Sequence, residues 1–253
     1  MSLSLFAAIA FGIAAGAPER AQTVPLPYEA APNPMLVQAS ADGVWRRPIC
    51  VGVTGLSADN AQYLADRIGV RAAEIGLRAG QVGCTANVLV VFSNDPSGQA
   101  ERMLSERTDP VSATGVSGNT RGREALRREF IDTNRPVRWW HVTLSTNDAG
   151  ENASRNERYG DPPRVNVPEV GRFGRAIHES ISHVIIVVDR RQVAGLRLAT
   201  LGDYLAMVAL IDVDPTVAPT EASILNLFSD RERGRTAAEE WTAWDLQRLN
   251  AIY

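Results

Sequence analysis

The stretch Thr200–Ile211, TLGDYLAMVALI, constrains the fold more than any other part of the chain, because it carries a single charge, Asp203, and no face that suits water. Read as a helix, it places Leu201, Tyr204, Leu205, Val208 and Ile211 along one apolar stripe. Gly202, Ala206 and Ala209 form a small-residue side against which another backbone can lie closely. Such a helix must be enclosed by other elements. Burying each large side chain contributes about 1.5–3 kcal/mol. Thr200 is expected as the N-cap, with Asp203 three residues on completing a capping-box-like pair near the positive end of the helix dipole.

Two continuous apolar runs supply partners for it. Ala86–Phe92 and Val184–Asp189 read as strands buried on both faces. Ile49–Thr54 reads as a further strand. Ser57 then caps a helix whose apolar positions Ala61, Leu64, Ile68, Ala72 and Ile75 recur at three- and four-residue steps, before Gly76 and Gly80 close it. The turn between strand and helix, GVTGLS, lacks the G-x-G-x-x-G that lets backbone approach a pyrophosphate, so a dinucleotide site is not expected. Val137–Leu144 is strand-like, with Trp139 and Trp140 on opposite sides, so that one of them should line a cleft or cover an edge. Asp95–Asn134, with short surface helices at Arg102–Arg107 and Arg123–Phe130, and Ser145–Phe173 read as polar connections. The expected class is α+β.

The apolar run Leu3–Ala17 is too short for a membrane span and suits the core of a signal peptide over residues 1–21. A Pro/Ala-rich linker over 22–44 then leads to a single domain over 45–253. No later stretch reaches about 20 apolar residues, so no transmembrane span is expected in the mature chain. An exported, periplasmic or envelope-associated protein is therefore expected. In that compartment Cys50 and Cys84, the two cysteines, are expected to be joined, since two thiols alone make a poor metal site. The formal net charge of −3 offers no basic footprint for nucleic acid. All 26 basic residues are arginine, which excludes Schiff-base or P-loop lysine chemistry.

Candidate chemistry is sparse. His178-Glu179-Ser180-Ile181-Ser182-His183 reads H-E-x-x-x-H, and an alternative zinc site would use His178 and His183, with His141 as third ligand and Glu179 as general base. On a helix the five-residue spacing turns the second histidine about 140° from the first. A strand beginning at Val184 instead leaves a polar loop with two surface histidines. Asp212 and Asp214 precede Pro215, where acids usually serve solvation or capping. No G-x-S-x-G elbow is present.

The tail TAWDLQRLNAIY resembles the closing helix of matrixin-type metzincins, and SILNLF resembles the segment where those metalloproteases place their Met-turn. The chain is also similar to a group of uncharacterised exported bacterial proteins in which a strand-helix-strand opening precedes a matrixin-like C-terminal half. The resemblance implies a zincin-like mixed sheet with a central buried helix and a C-terminal closing helix. Laid on Thr200–Ile211, the family's H-E-x-x-H-x-x-G-x-x-H places its ligands on Gly202, Ala206 and Asp212 and its glutamate on Asp203, and neither glycine nor alanine can hold zinc. The resemblance thus implies a degenerate scaffold without cofactor or peptidase activity, serving as a binding or envelope-associated module for a peptide or envelope partner. Trp139, Trp140, Asp203 and Asp212 are the cleft candidates.

Overall fold

The computed structural model describes residues 43–105, 127–146, 178–215 and 219–253, with backbone alone at 144–146 and 178–179. The signal-peptide and linker stretches expected before residue 43 lie outside these residues, as do most of the two polar connections. The described elements run β1 (Val44–Trp45), β2 (Val51–Thr54), α1 (Ala58–Glu74), β3 (Val88–Ser93), α2 (Pro96–Ser105), β4 (Val137–Thr146), β5 (His178–Asp189), α3 (Leu198–Leu210), a 3-10 turn (Ile224–Asn226), α4 (Leu227–Glu232) and α5 (Ala243–Ile252). A further helical stretch covers 127–132.

The sheet is mixed, and β5 is its centre. Along one edge β5 pairs in parallel with β1 through Ser180–Ile181 and with β3 through Val184–Asp189, and β3 pairs in parallel with β2. Its other edge takes β4 antiparallel over its whole length. Period-two alternation then divides the side chains between two layers. Val88, Val90 and Phe92, Val184, Ile186 and Val188, and Val137 and Trp139 join the large core with α1 and α3. Ile185 and Val187 point the other way, into a smaller cluster with Ala100 of α2, Phe130 and Trp140. The two tryptophans therefore lie on opposite faces. The expectation of burial on both faces holds for β5, whereas β3 alternates buried with half-buried positions.

Helix α1 forms where the sequence placed it, from N-cap Ser57 to a left-handed Gly76 at φ +80°. It lies across α3 at Gly202, where an added Cβ would stand 2.9 Å from Arg67 Cγ. Gly55 is equally required in the turn before α1: its φ is +83° and a Cβ there would meet the Phe92 carbonyl oxygen at 2.1 Å. Cys50 and Cys84 form a disulfide with Cα atoms 6.1 Å apart, tying the chain after α1 to the start of β2. By loop closure alone such a bridge contributes about 2–4 kcal/mol.

Several boundaries differ from expectation. The helix expected at Arg102–Arg107 runs Pro96–Ser105, the one expected at Arg123–Phe130 is described over 127–132, and both reach the core through Ala100 and Phe130 rather than lying wholly on the surface. Strand β5 begins at His178 rather than Val184, because Ser180–His183 find backbone partners on the edge strand β4; the register passes from Val142 opposite His183 to Thr143 opposite Ile181, leaving Ser182 as a bulge residue. Helix α3 begins at Leu198 with Arg197 as N-cap, so Thr200 lies inside its first turn, buried, and Asp203 does not cap it. The capping box occurs instead at α5. There Thr242 Oγ1 accepts from the Asp245 N–H, and the buried Asp245 carboxylate accepts from the N–H groups of Thr242 and Ile224 and from Ser223 Oγ at 2.5 Å.

The interior position of α3 creates a problem at its C-terminus, where the last carbonyls of a helix lack intrahelical donors and water is excluded. Side chains from three distant segments meet it. His141 Nε2 lies 3.0 Å from the Val208 oxygen, Trp45 Nε1 donates to Ala209 at 2.8 Å and Tyr253 Oη donates to Leu210 at 2.5 Å. Tyr253 Oη in turn accepts from the Trp45 backbone N–H, so the final residue of the chain fastens β1 to α3. Among the described residues no helix is long and apolar enough to cross a membrane.

Candidate ligand cleft

Beside α3, on the side away from α1, a cleft of about 570 Å³ opens among β4, the segment after β5, the stretch after α3 and α4. Its volume lies within the range of small-molecule sites. Trp139, Tyr204 and Phe228 form the aromatic wall, with Val137, Val213 and Leu225 between them, and Asn134, Arg135, Gln192, Asp214, Arg231 and Glu232 supply polar groups.

Each aromatic is held in place. Trp139 donates its indole N–H to the Val213 oxygen at 2.8 Å, which fixes the ring against the chain leaving α3. Tyr204 meets Phe228 edge to face, ring centres 4.9 Å apart at 78°, an arrangement favoured by the ring quadrupoles. Tyr204 is 5% exposed, and among the described residues its hydroxyl makes no hydrogen bond. Burial pushes the phenol pKa well above its ordinary value, and the nearby positive charge of Arg135 only partly opposes this, so the group stays a neutral donor. Arg135 itself pairs with Glu129 at 2.8 Å, both side chains about one-third exposed, at 34% and 29%.

The α1 side of α3 is closed. Asp203, with no exposed surface, accepts from Arg67 Nε and Nη2 at 2.6 and 2.8 Å and from Arg71 Nε and Nη2 at 2.9 and 2.6 Å. Burial alone would raise the carboxyl pKa. The bonds from Arg71 and Arg67 outweigh it and hold the pKa below the usual carboxylate value. Arg71 also lies 4.8 Å over the Trp241 ring, whose N–H donates to the Asp203 backbone oxygen at 2.9 Å. Packed guanidinium groups thus fill the side of α3 that bears Gly202 and Asp203.

The residues singled out from sequence are dispersed. Of the four cleft candidates only Trp139 lines this cleft. Trp140 meets Phe130 on the opposite face of the sheet, ring centres 6.1 Å apart and tilted by 54°, and Asp203 faces α1. Asp212 lies near His141, Oδ1 to Nδ1 3.5 Å, while Asp214, one of the acids expected to be merely solvated, is at the cleft. Burial depresses the His141 pKa against the opposing pull of Asp212 and the Val208 carbonyl; because that carbonyl only accepts, the neutral ring carries its proton on Nε2. The His178 and Glu179 side chains lie outside the described residues. Their backbone is strand, however, and at about 3.3 Å per residue it carries His183 on the order of 16 Å from His178, beyond the reach of two imidazoles sharing one ion. His183 Nδ1 is 2.9 Å from Ser182 Oγ. Among the described residues no group of three or more His, Cys, Asp or Glu is arranged to hold a metal.

Tyr204, Phe228 and Arg135 are cleft residues that the sequence pattern did not mark as such. The only local signal was Tyr204, a residue with a polar tip inside an otherwise apolar helix, and its stripe position assigned it to the core. Comparison with family models, curated proteins and solved structures found no match for this chain.

Proposed function

We propose that this chain is an exported, non-catalytic binding protein on a degenerate zincin-like scaffold, and that the cleft beside α3 holds its ligand. The single observation that carries this reading is the cleft itself, about 570 Å³ walled by Trp139, Tyr204 and Phe228, with the Tyr204 hydroxyl making no hydrogen bond among the described residues. An aromatic-lined cleft of this volume, with a phenol O–H free to donate at its wall, has the usual form of a small-ligand site. The disulfide is compatible with an oxidising compartment outside the cytosol. For the scaffold, support comes from a mixed sheet, an enclosed helix and a capped closing helix at Ala243–Ile252, the parts that the metzincin resemblance implies. Loss of metal chemistry is favoured by what stands at the matching helix positions, where Gly202 is pressed against Arg67 and Asp203 is held by two arginines.

The test is a fragment screen on the full chain read by tryptophan fluorescence, repeated on Trp139→Phe. Fragments that change the emission of the native chain and lose most of that effect in the variant are the expected result. Hits that respond identically in both proteins would place the ligand elsewhere, and tightly held zinc by elemental analysis would remove the non-catalytic part of the reading.

A further inference from the structure

Resting on that reading, we infer that the cleft selects a small amphipathic monocarboxylate, its aromatic or branched body between Trp139 and the Tyr204–Phe228 pair and its carboxylate at the Tyr204 hydroxyl and the Arg135 guanidinium. The apolar wall sets the body: two edge-to-face rings and an indole locked by its bond to Val213 leave ring edges and aliphatic carbons as contacts. The head is set by the donors. Tyr204 offers one O–H and Arg135 several N–H groups from the same cleft, and a carboxylate has two oxygens that can accept from both at once.

Competing chemistries fit less well. A cationic head at Tyr204 would stand near Arg135, whose charge is close enough to act on the buried phenol. A phosphate or a multiply charged anion would meet Asp214 and Glu232, which line the same opening and balance Arg135 and Arg231 in number. One negative charge is what this arrangement accommodates. The Glu129 partner of Arg135 is no obstacle, since a pair this exposed is worth little and leaves further N–H groups of the guanidinium for the ligand.

The experiment is isothermal titration of the full chain with 4-phenylbutyrate and with its uncharged amide, on the native protein and on Tyr204→Phe and Arg135→Gln. The acid should bind about tenfold or more tightly than the amide, as a charge-assisted hydrogen bond implies. That preference should collapse in both variants, the acid losing more affinity than the amide because its hydrogen bonds are charge-assisted, and the melting temperature of Tyr204→Phe should match the native one, showing that the loss is not a loss of fold. Equal binding of acid and amide by the native chain would overturn the carboxylate assignment and leave the ligand cleft standing. An acid preference retained in Tyr204→Phe would overturn the role of the hydroxyl. Binding of neither probe at millimolar concentration would overturn both the assignment and the cleft reading beneath it.

Discussion

Asp203 and Tyr204 are neighbours in the sequence and both are buried, yet about 100° of helix separates them and their surroundings are opposites. Asp203 accepts four hydrogen bonds from two arginines that lie 136 and 132 residues away in the chain. Tyr204 has its ring packed and its hydroxyl without a hydrogen-bond partner among the described residues. The first is satisfied within the fold by its two arginines; the second has no such partner and lines the cleft that we propose as the ligand site. A helix with no solvent face can thus present an ion-paired side and an aromatic, cleft-lining side one residue apart.

Substitution at the two positions should break the comparison most visibly. Asp203→Ala leaves two guanidinium groups facing each other without an anion and should cost about 3–5 kcal/mol in chemical denaturation. Tyr204→Phe removes a group that holds nothing in the folded chain and should change stability by less than about 0.5 kcal/mol. Comparable losses at both sites would mean that Tyr204 is structural after all.

The C-terminal end of α3 sharpens the same contrast with neutral groups. Trp45→Phe keeps most of the ring in the core but strands the Ala209 carbonyl, with an expected cost of about 1–3 kcal/mol. A stability unchanged by that substitution would show that another donor takes over.

Acid should separate the two kinds of buried polar group. His141 has a folded pKa below its ordinary 6.5, so between the two values the unfolded chain binds more protons and stability declines as pH falls below about 6.5. Asp203 has a folded pKa below 3.8, so its contribution is complete above that value and is lost as pH falls further, through the folded pKa. Denaturation followed from pH 8 to 3 should show a shallow limb that His141→Gln removes, then a steeper one that it does not. A single acid limb unaffected by His141→Gln would contradict this division.

The parts legible in the sequence were those with local causes. Continuous apolar runs marked β3 and β5, three- and four-residue periodicity marked α1, and the tail TAWDLQRLNAIY marked the closing helix. The disulfide came from compartment and count. The features that stayed hidden depend on partners far along the chain. Asp203 looked like a capping residue because its arginines lie on another helix, and the polar residues Ser180–His183 looked like a loop because their strand partners are on β4. The cleft is assembled from four separated stretches, so only Trp139, forced by alternation to one side or the other, announced itself. The metzincin resemblance rested on the C-terminal segments and drew attention to α3, but the proposed ligand site lies on the side of that helix away from the aligned Gly202 and Asp203.

The most direct test of that division uses the indole N–H signals of the 5 tryptophans in a ¹⁵N-labelled sample titrated with 4-phenylbutyrate. Trp139 bonds to Val213 at the cleft, and Trp241 bonds to Asp203 on the closed side. If the two sides of α3 divide as proposed, the Trp139 indole resonance moves in step with binding while that of Trp241 stays in place. Movement of Trp241 with Trp139 unchanged would put the ligand on the arginine-filled side and contradict that division.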